Sequence, residues 1–198
     1  MPLIDCECWP HILVSAMKHW HNHRVWERGK PITRAPYSAG IALDGFSVVS
    51  CAGPPAAVDF CYLLAQTFRR QGGYDFAAWS AWASVDDDDE LAYHARMFLW
   101  AQQGAVRAWA VVRDRERAYW TGDVSEDGRI PGQAHDCVSI DTIFVVKNAR
   151  RHGLARRLVA EIARVSTAPI SALGWGAPLS DDGKALAQSL MGTHFWLT

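Results

Sequence analysis

Between residues 140 and 165 the hydrophobic pattern changes period. Ile140-Asp141-Thr142-Ile143-Phe144-Val145-Val146 is a short apolar run of strand type, whereas Leu154, Leu158, Ile162 and Val165 recur at the spacing of a helix with one buried face. The basic segment Lys147 to Gly153 lies between them, so the pattern predicts strand, turn and helix. Upstream, Tyr37 to Leu43 and Phe46 to Cys51 flank Asp44-Gly45, a hairpin signal. Pro54-Pro55 opens a helix with Val58, Cys61, Leu64, Ala65 and Phe68 in phase, stopped by Gly72-Gly73. Residues 74–85 are aromatic and small and carry no decisive period. The carboxylates Asp86 to Asp89 precede a predicted helix, Glu90 to Gln103, whose dipole they complement. Ala105 to Val112 and Arg117 to Val124 then read as a second hairpin around Asp114-Arg115-Glu116, followed by a polar loop to Asp136. After Pro169 the pattern predicts a strand, Ile170 to Trp175, a short helix capped by Ser180 with Leu186 and Leu190 in phase, and a last strand, Thr193 to Thr198.

Length and composition narrow this picture. A chain of 198 residues suits one domain with a small appendage, and Gly29, Pro31 and Pro36 mark a linker that divides residues 1–36 from a main domain, 37–198. A formal net charge of −1 excludes a molecule that binds nucleic acid by bulk charge. No apolar run approaches ~20 residues and the first residues lack the basic-then-apolar order of a leader, so the expectation is a soluble, cytoplasmic protein with no membrane partner. Five scattered cysteines, an odd number, argue against a disulfide framework, and Cys51, Cys61 and Cys137 sit in apolar surroundings as core residues do. Most of the ten tryptophans lie in apolar periodic segments, which favours core over base stacking.

Candidate chemistry concentrates at the turn before the predicted helix. A helix N-terminus presents unpaired N–H groups and partial positive charge, and a glycine there lets a ligand reach the backbone. Arg150, Arg151, His152, Gly153, Leu154 and Ala155, with Arg156 beyond, therefore read as a cradle for a pyrophosphate. The segment has neither the Gly-Lys-Ser/Thr of a P-loop nor a dinucleotide fingerprint. A solvated basic face on an ordinary amphipathic helix would share much of this pattern.

The spacing Arg150-x-x-Gly153-x-Ala155 resembles the acetyl-CoA motif of the GNAT N-acetyltransferases, (Gln/Arg)-x-x-Gly-x-(Gly/Ala), and the element order around it is similar to theirs. Residues 137–198 further resemble the cohesin (ESCO-type) acetyltransferases, which carry a strand like I-S-R-I-W-V, then R-R-x-x-x-A, then F-S-D-P-T-P-D-G-K. The corresponding stretches are Ile140 to Val145, Arg150 to Ala155 and Trp175 to Lys184. The resemblance implies an α/β (α+β) GNAT fold, a central mixed, mostly antiparallel sheet flanked by helices. It implies acetyl-CoA as cofactor, with the backbone N–H groups of Val145 and Val146 on the pantetheine arm and the thioester oxygen, Phe144 beside them at the cofactor, and residues 150–156 around the pyrophosphate. It also implies a protein lysine as acceptor and a small zinc-finger-like segment ahead of the catalytic domain.

Cys6, Cys8, His19 and His23 would be the Zn2+ ligands and would offer a nucleic-acid contact. One residue between the cysteines and ten between Cys8 and His19 are shorter than the usual spacing; His21 restores the spacer but leaves one residue before His23. Asp141 is the expected general base, its pKa raised by apolar neighbours such as Ile143 and Phe144, with Ser139, Asp181, Asp182 and His135 in reserve. The Asp of S-D-P in the ESCO-type pattern falls near Ala177. Two other functions compete: modification of a nucleobase or small amine, using the aromatic stretch Tyr74 to Trp82, and a non-catalytic GNAT-like module that binds nucleic acid or protein.

Overall fold

The computed structural model describes residues 41–42, 44–72, 79, 95–121 and 136–198, with residues 66–72 described by their backbone alone. In chain order its elements are β1 (Gly45–Ser50), α1 (Pro55–Gly72), β2 (Arg96–Gln102), β3 (Ala105–Arg115), β4 (Tyr119–Trp120), β5 (Cys137–Val145), α2 (Leu154–Val165), β6 (Gly174–Trp175), α3 (Asp181–Met191) and β7 (Trp196–Leu197). The strands form one sheet in the order β1-β2-β3-β5-β6-β7-β4. β5 with β6 and β6 with β7 are parallel pairs, and the other neighbours are antiparallel. This is the mixed, mostly antiparallel sheet flanked by helices that the resemblance implied.

β2 and β3 form the middle of the core, because Met97, Phe98 and Leu99 and the run Ala108 to Val112 are buried whichever face they point to. That double burial explains why the sequence pattern misleads here. The expected helix Glu90 to Gln103 is, over its described residues, strand β2; a short apolar run buried on both faces has no alternation to reveal it. Its hairpin partner is β3, joined through Gln103 (φ 54°) and Gly104 (φ 72°), the two left-handed residues that a tight turn of matching twist requires. Asp44 Oδ1 accepts the Gln103 N–H at 2.6 Å and ties the start of β1 to that turn.

The second expected hairpin also fails, since β2 and β5 occupy both edges of β3 and leave no edge for a returning strand. Tyr119 and Trp120 pair instead with Leu197 and Trp196 of β7. Of the expected strand Tyr37 to Leu43 only Ile41 and Ala42 are described, and they lie in no strand; β1 pairs with β2. The expected strand Ile170 to Trp175 begins as a 3-10 turn, Ile170–Ala172, and only Gly174 and Trp175 enter the sheet. The last strand is correspondingly short, Trp196–Leu197.

The helices follow their periodicity more closely. α1 buries Val58, Cys61, Leu64 and Ala65, as the spacing predicts, together with Ala57 and Phe60. α2 buries Leu154, Leu158, Val159, Ile162 and Ala163 and packs on β2, β3 and β5. Val165, expected on the same face, is in the last turn and exposed. Trp79, Trp109 and Trp175 are fully buried, in keeping with the core reading of the tryptophans. Among the described residues no helix is long and apolar enough to cross a membrane. Leu158→Ala leaves a void in the α2–sheet contact, and denaturant unfolding should show a loss of about 2–5 kcal/mol; an unchanged midpoint would mean that α2 is not held by this face.

Candidate active site

The site grows from one mismatch in pairing. Along the β3–β5 ladder Val111 faces Thr142 and Val112 faces Ile140, so β5 carries one residue more than β3 and Asp141 is the residue skipped. A bulge of this kind bends its strand and re-aims its side chain. On the other edge, β6 accompanies β5 only through Ser139↔Gly174 and Ile140↔Trp175, and the last link is the Gly176 N–H to the Ile140 carbonyl at 3.0 Å. Gly176 presses on the bulge: a Cβ there would lie 2.8 Å from the Asp141 Cα. Next, the Ala177 N–H donates to Thr198 O at 3.1 Å and Pro178 has no N–H to offer, so the chain leaves β5.

Beyond Asp141 one edge of β5 therefore has no partner strand among the described residues. The Val146 N–H donates to Arg107 O on β3 at 2.9 Å, and neighbouring residues of a strand turn their backbone groups to opposite edges. Val145 thus faces the open edge, where its carbonyl already accepts Arg150 Nε at 3.1 Å. The expectation that Val145 and Val146 both offer N–H groups to a ligand needs correcting: Val146 is committed to β3, and the open-edge residues are Val145 and, by alternation, Ile143. Phe144, also expected at the cofactor, puts its ring in the core, 4.5 Å from the Trp109 ring centroid, with the Arg150 guanidinium 5.8 Å from its own.

The open edge leads to the N-terminus of α2. Arg151 (φ 66°) and Gly153 (φ 75°) both take left-handed conformations and wrap the backbone around that end. The first helical bond here is Arg157 N–H to Gly153 O, at 3.1 Å, so the N–H groups of Leu154, Ala155 and Arg156 have no intrahelical acceptor, and no side chain caps them. No acidic residue stands in the first turn, while Arg150, Arg151, His152 and Arg156 are exposed around it. Positive charge at the positive end of a helix dipole is the wrong sign for stability unless an anion joins it. α3 shows the alternative in the same chain: Ser180 Oγ accepts the Gly183 N–H at 3.2 Å and Asp181 and Asp182 fill the first turn. Asp181, a reserve catalytic candidate, is thus an exposed residue of a capped helix start. Nothing lies within 4 Å of a Cβ built on Gly153, so the cradle is open to a diphosphate. The residues present fit the pyrophosphate of CoA.

At the bulge the Asp141 carboxylate is held from three directions. Oδ2 accepts Arg113 Nη1 at 2.5 Å and Arg115 Nη2 at 2.7 Å, and Oδ1 accepts Ser139 Oγ at 2.9 Å. Ser139 is fully buried and also meets Thr198 Oγ1 at 2.6 Å. Guanidiniums and a hydroxyl, rather than Ile143 and Phe144, are therefore the partners of this carboxylate. Sequence reasoning missed Arg113, Arg115 and Thr198; Arg113 and Arg115 share one side of a strand at i and i+2, a visible signal, but only the register puts them opposite Ser139 and Cys137. Burial pushes the Cys137 thiol up to about 11 and raises Cys51 and Cys61 as well, so none of the three described cysteines is poised as a reactive thiolate.

The acetyltransferase (GNAT) family pattern matches residues 57–173. The chain belongs to this family. GNAT proteins are N-acetyltransferases that take acetyl groups from acetyl-CoA and act on amines, which accounts for an uncapped, basic helix start beside an open strand edge. The xEco2 acetyltransferase domain bound to a lysine–CoA conjugate has a similar structure, with 16% identity, 81% of this chain and 96% of that one covered, and a TM-score of 0.60. A second structure of the xEco2 domain gives 14% identity, 81% and 94% coverage and a TM-score of 0.57. The ribosomal-protein-alanine N-acetyltransferase from Brucella melitensis biovar Abortus 2308 gives 16%, 74% and 90%, and 0.44. No curated protein sequence matches the chain. The expected zinc ligands Cys6, Cys8, His19 and His23, and the reserve residue His135, lie outside the described residues; among the described residues no group of three or more His, Cys, Asp or Glu is placed to hold a metal ion.

Two measurements test this geometry. Gly153→Glu puts a carboxylate into an anion cradle at a left-handed position and should abolish acetyl-CoA binding in calorimetry; normal binding would remove the cradle assignment. Asp141→Asn leaves two guanidiniums short of their anion, and because both are partly solvated the expected loss of unfolding free energy is about 1–3 kcal/mol.

Proposed function

We propose that this GNAT enzyme acetylates a lysine side chain of a protein, by direct attack of the amine on the acetyl group, with Asp141 receiving the proton. The observation that carries the reading is the position of Asp141 at the bulge, where β5 and β6 part and the open edge begins. The lysine acceptor is supported by the architecture shared with the xEco2 domain, whose structure was solved with a lysine–CoA conjugate. The aromatic stretch that a nucleobase reading would use offers no such support, because Trp79, its described residue, is fully buried.

The reaction joins the amine nitrogen to the acetyl carbon, breaks the carbon–sulfur bond and releases CoA as a thiol, so one amine proton must leave. A free lysine ammonium, with a pKa near ~10.4, holds its proton far too tightly for a carboxylate to remove it. The N–H becomes acidic as the nitrogen bonds to the carbonyl carbon, and an anionic carboxylate then suffices as acceptor. Asp141 suits that late role. Its Oδ2 is fixed by Arg113 and Arg115, and Oδ1 keeps a lone pair beyond the one engaged by Ser139. Val145 and Ile143 at the open edge would orient the acyl arm, and positioning supplies much of the rate in such a reaction. An acetyl-cysteine route is disfavoured by the buried, protonated thiol of Cys137.

In an acetyl-transfer assay with lysine-containing protein acceptors, Asp141→Asn should lower kcat about 100-fold while leaving the Kd for acetyl-CoA within a few-fold. Cys137→Ser should retain kcat within about threefold. Full activity of Asp141→Asn would remove it as the proton acceptor, and transfer only to small amines or aminoglycosides would replace the protein acceptor.

A further inference from the structure

Of the three charged groups at the bulge, Arg115 is the one an arriving molecule can reach. Its side chain is 30% exposed, against 18% for Arg113 and 9% for Asp141. Its counter-charge is also a shared one: Asp141 Oδ2 accepts Arg113 Nη1 at 2.5 Å and Arg115 Nη2 at 2.7 Å. The Arg115 Nε–H is buried without an acceptor, so this guanidinium is short of both negative charge and hydrogen-bond partners. Neighbouring carboxylates do not make up the deficit. Asp114, between the two arginines on β3, turns to the other side of the sheet by strand alternation and pairs with Arg96 at 2.8 Å, and Asp136, just ahead of β5, is exposed to solvent.

We propose that Arg115 selects the acceptor: it binds a carboxylate side chain one or two residues from the acceptor lysine, so that the enzyme takes lysines lying in acidic segments. The inference rests on the protein-lysine reading above and names the kind of segment that reading requires. A lysine arrives as an ammonium and meets a guanidinium with half a counter-ion beside the carboxylate that is to receive its proton. Like charges at such range repel. A carboxylate next to the lysine turns the repulsion into attraction and gives Arg115 the acceptor it lacks. The planar fork of a guanidinium suits this double duty, since one N–H holds Asp141 while others remain for a second carboxylate. Reach permits it as well: two residues of extended backbone span about 7 Å, comparable to the length of the lysine stem itself.

The test uses the full chain, acetyl-CoA and end-blocked peptides that carry one lysine with Glu or Gln at each of the two positions on either side. Wild type should acetylate the best Glu peptide with a kcat/KM about fivefold or more above its Gln counterpart, mostly through KM, and the ratio should shrink as salt is raised. Arg115→Gln should slow both peptides, because it loosens Asp141, but the Glu-to-Gln ratio should fall to about one. Arg115→Lys keeps the charge and should retain part of the ratio, which separates selection from the shared loss of turnover; should Arg115→Gln fail to fold in thermal unfolding, this variant and the salt dependence of the wild type decide. Equal use of Glu and Gln peptides by wild type, or a ratio that survives Arg115→Gln, overturns the selection while lysine acetylation stands. Failure of wild type to acetylate any of the peptides while it binds acetyl-CoA overturns the lysine acceptor, and the inference with it.

Discussion

Among the described residues strand β5 is paired on both edges only as far as Ile140, and the proposed chemistry depends on the loss of one edge beyond that point. The backbone cause is local. An extra residue at Asp141 shifts the β3–β5 register by one, and Gly176, the one residue type that fits against the Asp141 Cα, brings β6 up to the bulge and no further. A strand edge buried in a protein is normally covered or paired, because unsatisfied N–H and C=O groups are costly. In the function proposed above, the open edge takes an extended, amide-rich ligand arm.

The two helix starts in the C-terminal half show how the same physical effect serves opposite ends. α3 begins with a serine cap and two aspartates, which neutralise its dipole and stabilise the helix by themselves. α2 begins with a left-handed glycine, no cap and a set of arginines, an arrangement that is unfavourable until an anion arrives. The stability that a cap would have supplied is missing here, and packing of Leu154, Leu158 and Ile162 on the sheet compensates for it.

The carboxylate at the bulge links fold and chemistry. Arg113 and Arg115 come from β3, Ser139 and Asp141 from β5, and Thr198 from the chain's last residue, so five side chains from three segments close around the point where the strands part. Such a network fixes the Asp141 rotamer and the bulge together. Any catalytic use of Asp141 is therefore coupled to the stability of the sheet, and its two effects separate only when affinity, turnover and unfolding are measured on the same variants.

What the amino-acid order determined by itself is what depends on near neighbours. The spacing of Leu154, Leu158 and Ile162 defined α2, Ser180 with Gly192 delimited α3, and Arg150-x-x-Gly153-x-Ala155 pointed to the family, because helix periodicity, capping and a short motif at a helix start all act within a few residues. Tertiary structure decided what depends on distant partners. Met97 to Ala101 became a strand because β1 and β3 lie on either side of it, and Tyr119 and Trp120 joined β7 because β3 had no edge left. Asp141 met two arginines, rather than the apolar side chains beside it in sequence, because strand register brings together residues 26 and 28 positions apart. Sequence supplies the charges and the apolar faces; pairing between strands, which no local pattern encodes, chooses which of them meet.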